Sequence, residues 1–372
     1  MNNNYDISQL VQAITDNAVR ENTKQYWMVR TDDGANYKTF SDSGIVALNL
    51  RNLPLAEVRS LHQQHQGRKG CVPLIKDLLI RLHNENRIAL SFDRLSSGYS
   101  TNMSRLAGQV YCMAYEMNFG DIVLIPSHGA EEIKLGKICD ADPIVDDRLN
   151  ERFSLARRVG WIRTISKKRF DPCLYKALGA HQAISNVSDY SQFIERNYRS
   201  YFTFDDKMHY VLTVNTESVS ARKLSKYVSG ILDAAKDISD AYALDINVDD
   251  VEFSINVNSP GKFSFISSVK TSILIIAVAT AIGGGTLQYE NLNMSTNGAF
   301  STLVEGINSF LDANESRREQ KALFDAYMNS LEVKSVEDWN SKIDEEEQVL
   351  LEEEAKDSVS VDEHELPQLP QL

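Results

Sequence analysis

Apolar residues recur at helical spacing in several segments of the first half of the chain. In residues 6–22, for example, Ile7, Val11 and Ile14 fall on one face of a helix. Short apolar runs bounded by turn residues lie between these segments and predict strands. The predicted helices are 6–22, 55–66, 72–84 and 102–118, and the predicted strands are 26–30, 44–50, 120–125, 133–138 and 157–164.

The second half begins with a pattern typical of a small β-α-β unit. Residues 209–215 alternate as a strand, residues 219–242 have helical periodicity, and residues 251–257 alternate strictly between apolar and polar side chains. The turn sequence of residues 258–261 ends this last strand. Further helices are predicted over 300–311, 319–331 and 336–354.

An uncharged apolar stretch, residues 273–282, lies within a predicted helix over 268–282. A membrane-spanning helix needs about 20 predominantly apolar residues, and a run of about 10–14 is more often a buried core helix. Extending the stretch to spanning length would include Lys270 and several serines and glycines. We therefore expect a helix buried in the protein or in an oligomer core, with membrane insertion as the alternative.

Charge is distributed unevenly along the 372 residues, whose net charge is −13. Residues 20–200 hold 26 of the 39 Lys and Arg but 20 of the 52 Asp and Glu, so this part is mildly basic. The rest is strongly acidic, above all residues 344–372, which we expect to be a disordered tail that could bind a partner protein. The basic part is the better candidate for phosphate contacts.

Cysteine usage and the N-terminal sequence favour a cytoplasmic protein without a zinc site. The four cysteines are widely spaced and form no CxxC pair. The first residues have neither a basic region nor an apolar core, so we expect no signal peptide. The sequence also lacks G-x-S-x-G, P-loop and H-E-x-x-H motifs, and no cofactor or metal is predicted.

Three segments in the first half carry a family resemblance. They are residues 107–111, the turn and apolar strand of 118–126, and the short returning strand of 135–138, with apolar strands at 26–30 and 159–163. This arrangement resembles the N-terminal domain of Mrr-type restriction endonucleases, a small β-barrel of the PUA/EVE kind, over roughly residues 25–186. The resemblance implies a domain that binds nucleic acid, including modified bases.

The predicted architecture is therefore α+β with several parts. A PUA-like β-barrel with helical insertions is followed by the β-α-β unit and a helical region. The parts are an N-terminal helix (1–19), the PUA/EVE-like domain (20–198), the β-α-β unit (201–262), the helical region (263–343) and the acidic tail (344–372).

The nuclease motif that the resemblance leads one to look for is not found. It requires an Asp and then an acidic residue or Gln two positions before a Lys on a strand, where the carboxylates hold a metal ion. Ser254 stands two positions after Glu252 instead of a Lys, and Asp249 and Asp250 precede the strand in a turn-like sequence. In addition, Leu48-Asn49-Leu50 stands where family members usually carry a Gly-Trp pair, so the implied base pocket is altered.

The strongest nucleic-acid signal is a group of six cations in residues 157–169 that flank a tryptophan. Such cations contact phosphates independently of base sequence. The alternative is a solvated basic hairpin that pairs with the acidic loop 140–151. The basic cluster is Arg157, Arg158, Arg163, Lys167, Lys168 and Arg169, and Trp161 lies within it. The aromatic candidates for base stacking are Tyr99 and Tyr111, with Trp27, Tyr37, Tyr115 and Phe119.

We therefore expect a non-enzymatic protein that senses nucleic acid in a restriction or phage-defence system. In this hypothesis the barrel binds DNA or RNA, and the C-terminal half forms a homo-oligomer or acts as the effector. The alternatives are a diverged restriction nuclease and an interaction or membrane-associated adaptor that does not bind nucleic acid.

Overall fold

The computed structural model consists of two compact units, each described by itself. One comprises Thr23–Asn197, and the other comprises the N-terminal helix and the described residues from Tyr198 onward. The chain has a mixed α+β fold. The structure describes residues 6–18, 24–65, 67–90, 92–144, 153–167, 171, 173–179, 182–214, 220–256, 261–283, 298–313, 315–335, 338 and 341.

A curled six-stranded sheet forms the framework of the Thr23–Asn197 unit. Its strands are β1 (Tyr26–Val29), β2 (Ile45–Ala47), β3 (Ile122–Pro126), β4 (Glu132–Ile138), β5 (Ala156–Ser166) and β6 (Ile184–Asn186). Their order is β2-β5-β4-β3-β1-β6, with β1 and β3 parallel and all other neighbours antiparallel. The edge strands β2 and β6 are not paired with each other in the described residues, so the sheet is a half-barrel there.

A β-bulge interrupts the pairing of β4 and β5 in the region predicted to bind nucleic acid. The register shifts between Leu135, which pairs with Arg163, and Gly136, which pairs with Trp161. A Cβ atom at Gly136 would lie 2.6 Å from Cε3 of Trp161. Glycine at this position therefore lets the indole cross the neighbouring strand.

The helices of this unit differ from the predicted bounds by a few residues, and one of them changes from an α-helix to a π-helix along its length. The helix predicted over 102–118 is an α-helix that continues as a π-helix, Cys112–Glu116, closed by Met117 N–H donating to the Cys112 carbonyl oxygen at 3.0 Å. Such wide turns are rare and often occur at functional sites. The α-helices are α2 (Tyr37–Ser43), α3 (Leu55–Gln64), α4 (Arg68–Asn84), α5 (Tyr99–Tyr111), α6 (Leu174–Leu178) and α7 (Ser191–Glu195).

The other unit has an antiparallel five-stranded sheet. Its strands are β7 (Tyr201–Phe204), β8 (Lys207–Val214), β9 (Glu252–Asn256), β10 (Gly261–Ser268) and β11 (Val333–Ser335). The order is β11-β8-β10-β9, and β7 pairs with the same edge of β8 as β11. The strands predicted at 209–215 and 251–257 are present as β8 and β9, but β10 lies between them.

Helices pack around one apolar helix in this unit. The helices are α1 (Ile7–Ala18), α8 (Ala221–Tyr242), α9 (Val269–Ile282), α10 (Ala299–Asp312) and α11 (Glu315–Leu331). Helix α9 contacts the four other helices and strands β8 and β10, and nearly all its side chains are buried, so the predicted buried helix is confirmed. The N-terminal helix, predicted as a separate part, packs against α9 and α10. No helix in the described part of the chain is long and apolar enough to cross a membrane.

Several predictions fall where the structure gives no description. They are the acidic tail, most of the helix at 336–354, residues 145–152 of the acidic loop, and Lys168 and Arg169 of the basic cluster.

Candidate functional site

Arg157 was predicted to contact phosphates, and the structure contradicts this prediction. Its side chain is 0% exposed. Nε donates to Oδ1 of Asp140 at 2.8 Å, and Nη2 donates to the Asp140 carbonyl oxygen at 2.8 Å. Nη1 donates to the carbonyl oxygens of Met113, at 3.3 Å, and Met117. Because its charge is paired and its donors are occupied, Arg157 ties the π-helix to β5 and cannot reach a ligand.

The other described cations of the basic cluster do not form one uniform face. Arg158 is exposed, and its guanidinium makes no ion pair with a described residue. Lys167 is half-buried and pairs with Glu131 at 3.1 Å. Arg163 is partly buried. Of the predicted phosphate contacts, Arg158 therefore has the geometry that such a contact requires.

Trp161 is partly covered rather than open to solvent. It packs over Gly136, and Nζ of Lys134 lies 5.7 Å from the centre of its ring, which is cation–π distance. One face of the indole is therefore occupied, and the ring is a poor platform for a base.

The two tyrosines of the predicted site pack inside the helical layer. Tyr111 is buried, with its ring centre 5.4 Å from that of Tyr115, which in turn stacks on His62 at 3.8 Å. The Tyr99 hydroxyl is hydrogen-bonded to Nδ1 of His83 at 2.9 Å. Burial raises the pKa of Tyr115 to about 12 and lowers the pKa of His83. The prediction for Tyr111 is wrong because the ring is buried, and Tyr99 is engaged by His83 rather than free.

A polar pocket lies elsewhere in the Thr23–Asn197 unit, at the β1–β6 edge of the sheet. Its volume is ≈ 780 Å³, within the range of about 300–1,000 Å³ typical of small-molecule sites. One side comes from β1, β6 and adjoining loops, and the other from α5, the π-helix and the start of α4. The lining residues are Gln25, Trp27, Arg68, Ser104, Arg105, Gly108, Gln109, Cys112, Glu116, Asn118, Gln182, Ile184, Ser185 and Asn186.

The buried carboxylate of Asp121 holds three parts of the pocket lining in place by hydrogen bonds. It is 3% exposed, and its carboxylate accepts hydrogen bonds from the indole Nε1 of Trp27 at 2.8 Å and from the backbone N–H groups of Gln25 and Asn118, both at 2.9 Å. All three donors belong to lining residues. The aromatic wall and both adjacent loop segments are therefore fixed before any ligand arrives.

Gln109 is the most informative side chain of the pocket. It is 8% exposed and lines the cavity, and its side-chain amide makes no hydrogen bond with a described residue. The polar atoms of this amide are not among the fully buried, unpartnered ones of the described residues, so the amide contacts the solvent in the cavity. This amide offers a ligand both donors and an acceptor.

The charged groups of the pocket differ in whether they already have ion-pair or hydrogen-bond partners among the described residues. Arg68 forms an ion pair with Glu116, and this hydrogen bond raises the pKa of the guanidinium. Arg105 is exposed and makes no ion pair or hydrogen bond with a described residue. Burial raises the pKa of the Cys112 thiol well above its usual range, so the sulfur stays protonated and is a weak nucleophile. The pocket thus combines a free cation at its rim with an unreactive interior, which suits binding.

Sequence reasoning identified the segments of the pocket but not the residues that matter. It singled out residues 107–111 and 118–126, yet chose Tyr111 instead of Gln109 and left Gln25 and Asp121 unmentioned. The signal that could have found Gln109 is a polar residue within the otherwise apolar turn Ala107–Tyr111. The π-helix, which places Cys112 and Glu116 in the lining, has no periodicity that a helical pattern would show.

The acidic residues that the search for a nuclease motif considered lie in the other unit and make local contacts. Glu252 is exposed and forms an ion pair with Lys207. Asp249 and Asp250 lie in a short 3₁₀ turn, where the backbone N–H of Asp249 donates to Oδ1 of Asn247 at 3.1 Å and Nδ2 of Asn247 donates to the Asp250 carboxylate at 2.7 Å. In the described residues, no group of three or more His, Cys, Asp or Glu side chains could hold a metal ion.

No protein-family model, curated protein or solved structure matches the chain. The functional argument therefore rests on the pocket and on the chemistry of the side chains that line it.

Proposed function

We propose that the Thr23–Asn197 unit binds nucleic acid by taking one base into the pocket, and that the protein is a non-enzymatic sensor. The amide of Gln109, which lines the cavity and makes no hydrogen bond with a described residue, carries this proposal. A ligand in the cavity can hydrogen-bond to this amide without displacing a partner within the described structure. A volume of ≈ 780 Å³ accommodates a nucleobase with its sugar.

The composition of the lining favours a base over other small molecules. Side-chain amides pair with the donor and acceptor edges of bases, and Gln109 and Gln25 both line the pocket. Trp27 borders the pocket but is itself 4% exposed, and Arg105, which makes no ion pair with a described residue, supplies a cation for a phosphate at the rim. The carboxylates of Asp121 and Glu116 are already occupied, so they repel an anionic ligand less.

The resemblance to PUA/EVE-like domains of Mrr-type enzymes rests on sequence patterns alone and agrees with this proposal. It implies a base-binding domain over residues 25–186, and the pocket lies in that range. The restriction or phage-defence setting rests on this resemblance alone. In this proposal the other unit mediates oligomerisation or effector action, and the protein is cytoplasmic.

The proposal is tested by measuring the fluorescence anisotropy of labelled single-stranded DNA and RNA with the full protein. We expect binding that weakens between about 50 and 200 mM salt and is displaced by mononucleotides. Gln109→Met should weaken binding about 10-fold, the loss of roughly one hydrogen bond. Arg105→Gln should weaken it equally across sequences and lower the salt slope by about one.

Lys38→Gln is the matched control for Arg105→Gln, because Lys38 is an exposed cation of α2 that does not line the pocket. It should bind as the wild-type protein does. Absence of binding by the wild-type protein, or equal binding by all four proteins, would contradict the proposed function.

A further inference from the structure

An exposed aromatic side chain lies next to the pocket. Asn118 lines the cavity, and the following residue, Phe119, is 66% exposed. Single exposed apolar side chains are common on protein surfaces, so the informative feature is the position of this ring beside the pocket lining, which does not include it.

The turn that carries Phe119 is held rigidly. Asn118 N–H donates to Asp121 at 2.9 Å, and Asp121 N–H donates back to the Asn118 carbonyl oxygen at 3.1 Å. Gly120 N–H donates to the Ile138 carbonyl oxygen at 2.9 Å, and its φ of +92° is a conformation that favours glycine. An aromatic ring on such a turn loses little conformational entropy when it binds.

Two free cations continue the surface beyond this turn. Lys137 packs against Gly120, since its Cε lies 3.8 Å from where a Cβ of Gly120 would be, and it is exposed. Arg158 lies on the neighbouring strand, where its carbonyl oxygen accepts from Cys139 N–H at 3.0 Å, and its side chain is exposed on the same face as Lys137. Neither side chain makes an ion pair with a residue that the structure describes.

We propose that this surface binds the nucleotides that adjoin the base in the pocket, so that the ligand is a single strand. Phe119 stacks on the next base, and Lys137 and Arg158 contact the phosphates that follow. This inference rests on the proposed function and extends it, because the pocket alone would accept a free nucleotide. A surface that combines an aromatic ring with cations is typical of single-strand binding.

The test compares an oligonucleotide with a mononucleotide on the same variants of the full protein. Phe119→Ala should weaken single-stranded oligonucleotide binding about 10-fold or more and leave mononucleotide binding unchanged. Lys137→Gln should lower the salt dependence of oligonucleotide binding and leave mononucleotide binding unchanged. Leu95→Ala is the matched control, because Leu95 is an apolar side chain of the same unit that is 92% exposed and does not line the pocket.

The outcomes separate this inference from the proposed function. If the wild-type protein binds both ligands and Phe119→Ala binds the oligonucleotide as Leu95→Ala does, the inference is wrong and the pocket stands. If Phe119→Ala weakens the binding of both ligands equally, the ring only shapes the rim of the pocket, and the inference is again wrong. If the wild-type protein binds neither ligand, the proposed function fails and the inference fails with it.

Discussion

The basic cluster on β5 and the pocket at the β1–β6 edge both combine a tryptophan with arginines, yet the two regions use these side chains in opposite ways. In the cluster, Arg157 is buried with its charge paired, and Trp161 is covered by Lys134. In the pocket, Arg105 is free of described partners, and the amide of Gln109 lines the cavity without one.

The difference shows that charge density along a sequence is a poor measure of what a surface can bind. A cation contributes to phosphate binding only if the fold leaves its donors unoccupied, and the fold around Arg157 occupies them with a carboxylate and backbone carbonyl groups. A single unpaired amide inside a cavity is the more specific indication of a ligand. The following predictions test whether the two regions differ in this way.

The largest effect is expected for Arg157→Ala, which should lower the free energy of unfolding by about 3–5 kcal/mol. The substitution leaves the Asp140 carboxylate and several carbonyl groups without their partner. Arg158→Ala, at the neighbouring exposed position, should change the free energy of unfolding by less than about 0.5 kcal/mol. Urea denaturation of both variants measures the difference, and an equally mild effect of both would show that Arg157 is not structural.

Asp121→Ala should lower the free energy of unfolding by about 2–4 kcal/mol and abolish nucleotide binding. It leaves three donors of the pocket wall unpaired, among them the Trp27 indole. Asp42→Ala, at an exposed carboxylate of α2, is the control and should do neither. Retained nucleotide binding by a folded Asp121→Ala protein would contradict the role given to Asp121.

A smaller effect is expected from pH, through the contact that engages Tyr99. Burial lowers the pKa of His83, so the folded protein binds a proton here less readily than the unfolded chain does. Stability should therefore fall as the pH drops through about 6.5, the ordinary histidine value. His83→Gln should show a shallower decline between pH 7 and 5 in urea denaturation. An identical decline in both proteins would mean that His83 does not contribute.

The elements that are buried on several sides could be predicted from the sequence. Helix α9 is apolar around its whole circumference, and this pattern alone predicts burial. Strands β3 and β4 were recognised from their apolar runs and the turns beside them. Strands β6, β7, β10 and β11 were missed, and β10 occupies the start of the region predicted as helical (263–343). Strands β6 and β11 have three residues each, too few to show an alternation.

The candidate site was harder to predict, because it depends on hydrogen-bond partners that are distant in the sequence. Trp27 and Asp121 are 94 residues apart, and Arg157 and Met117 are 40 apart. No local pattern shows which polar side chain finds such a partner. Gln109 was overlooked for the same reason, since its significance lies in having none among the described residues.

The smallest expected effect on stability, and the most direct test of the account, comes from Gln109→Met. The substitution removes an amide that faces the cavity and makes no hydrogen bond within the described structure, and it introduces an apolar side chain of similar size. Urea denaturation and nucleotide binding should be measured on the same preparation. We expect the free energy of unfolding to change by less than about 0.5 kcal/mol, while the affinity falls about 10-fold. A loss of more than about 1 kcal/mol of stability together with unchanged affinity would contradict the account, because Gln109 would then serve the fold rather than a ligand.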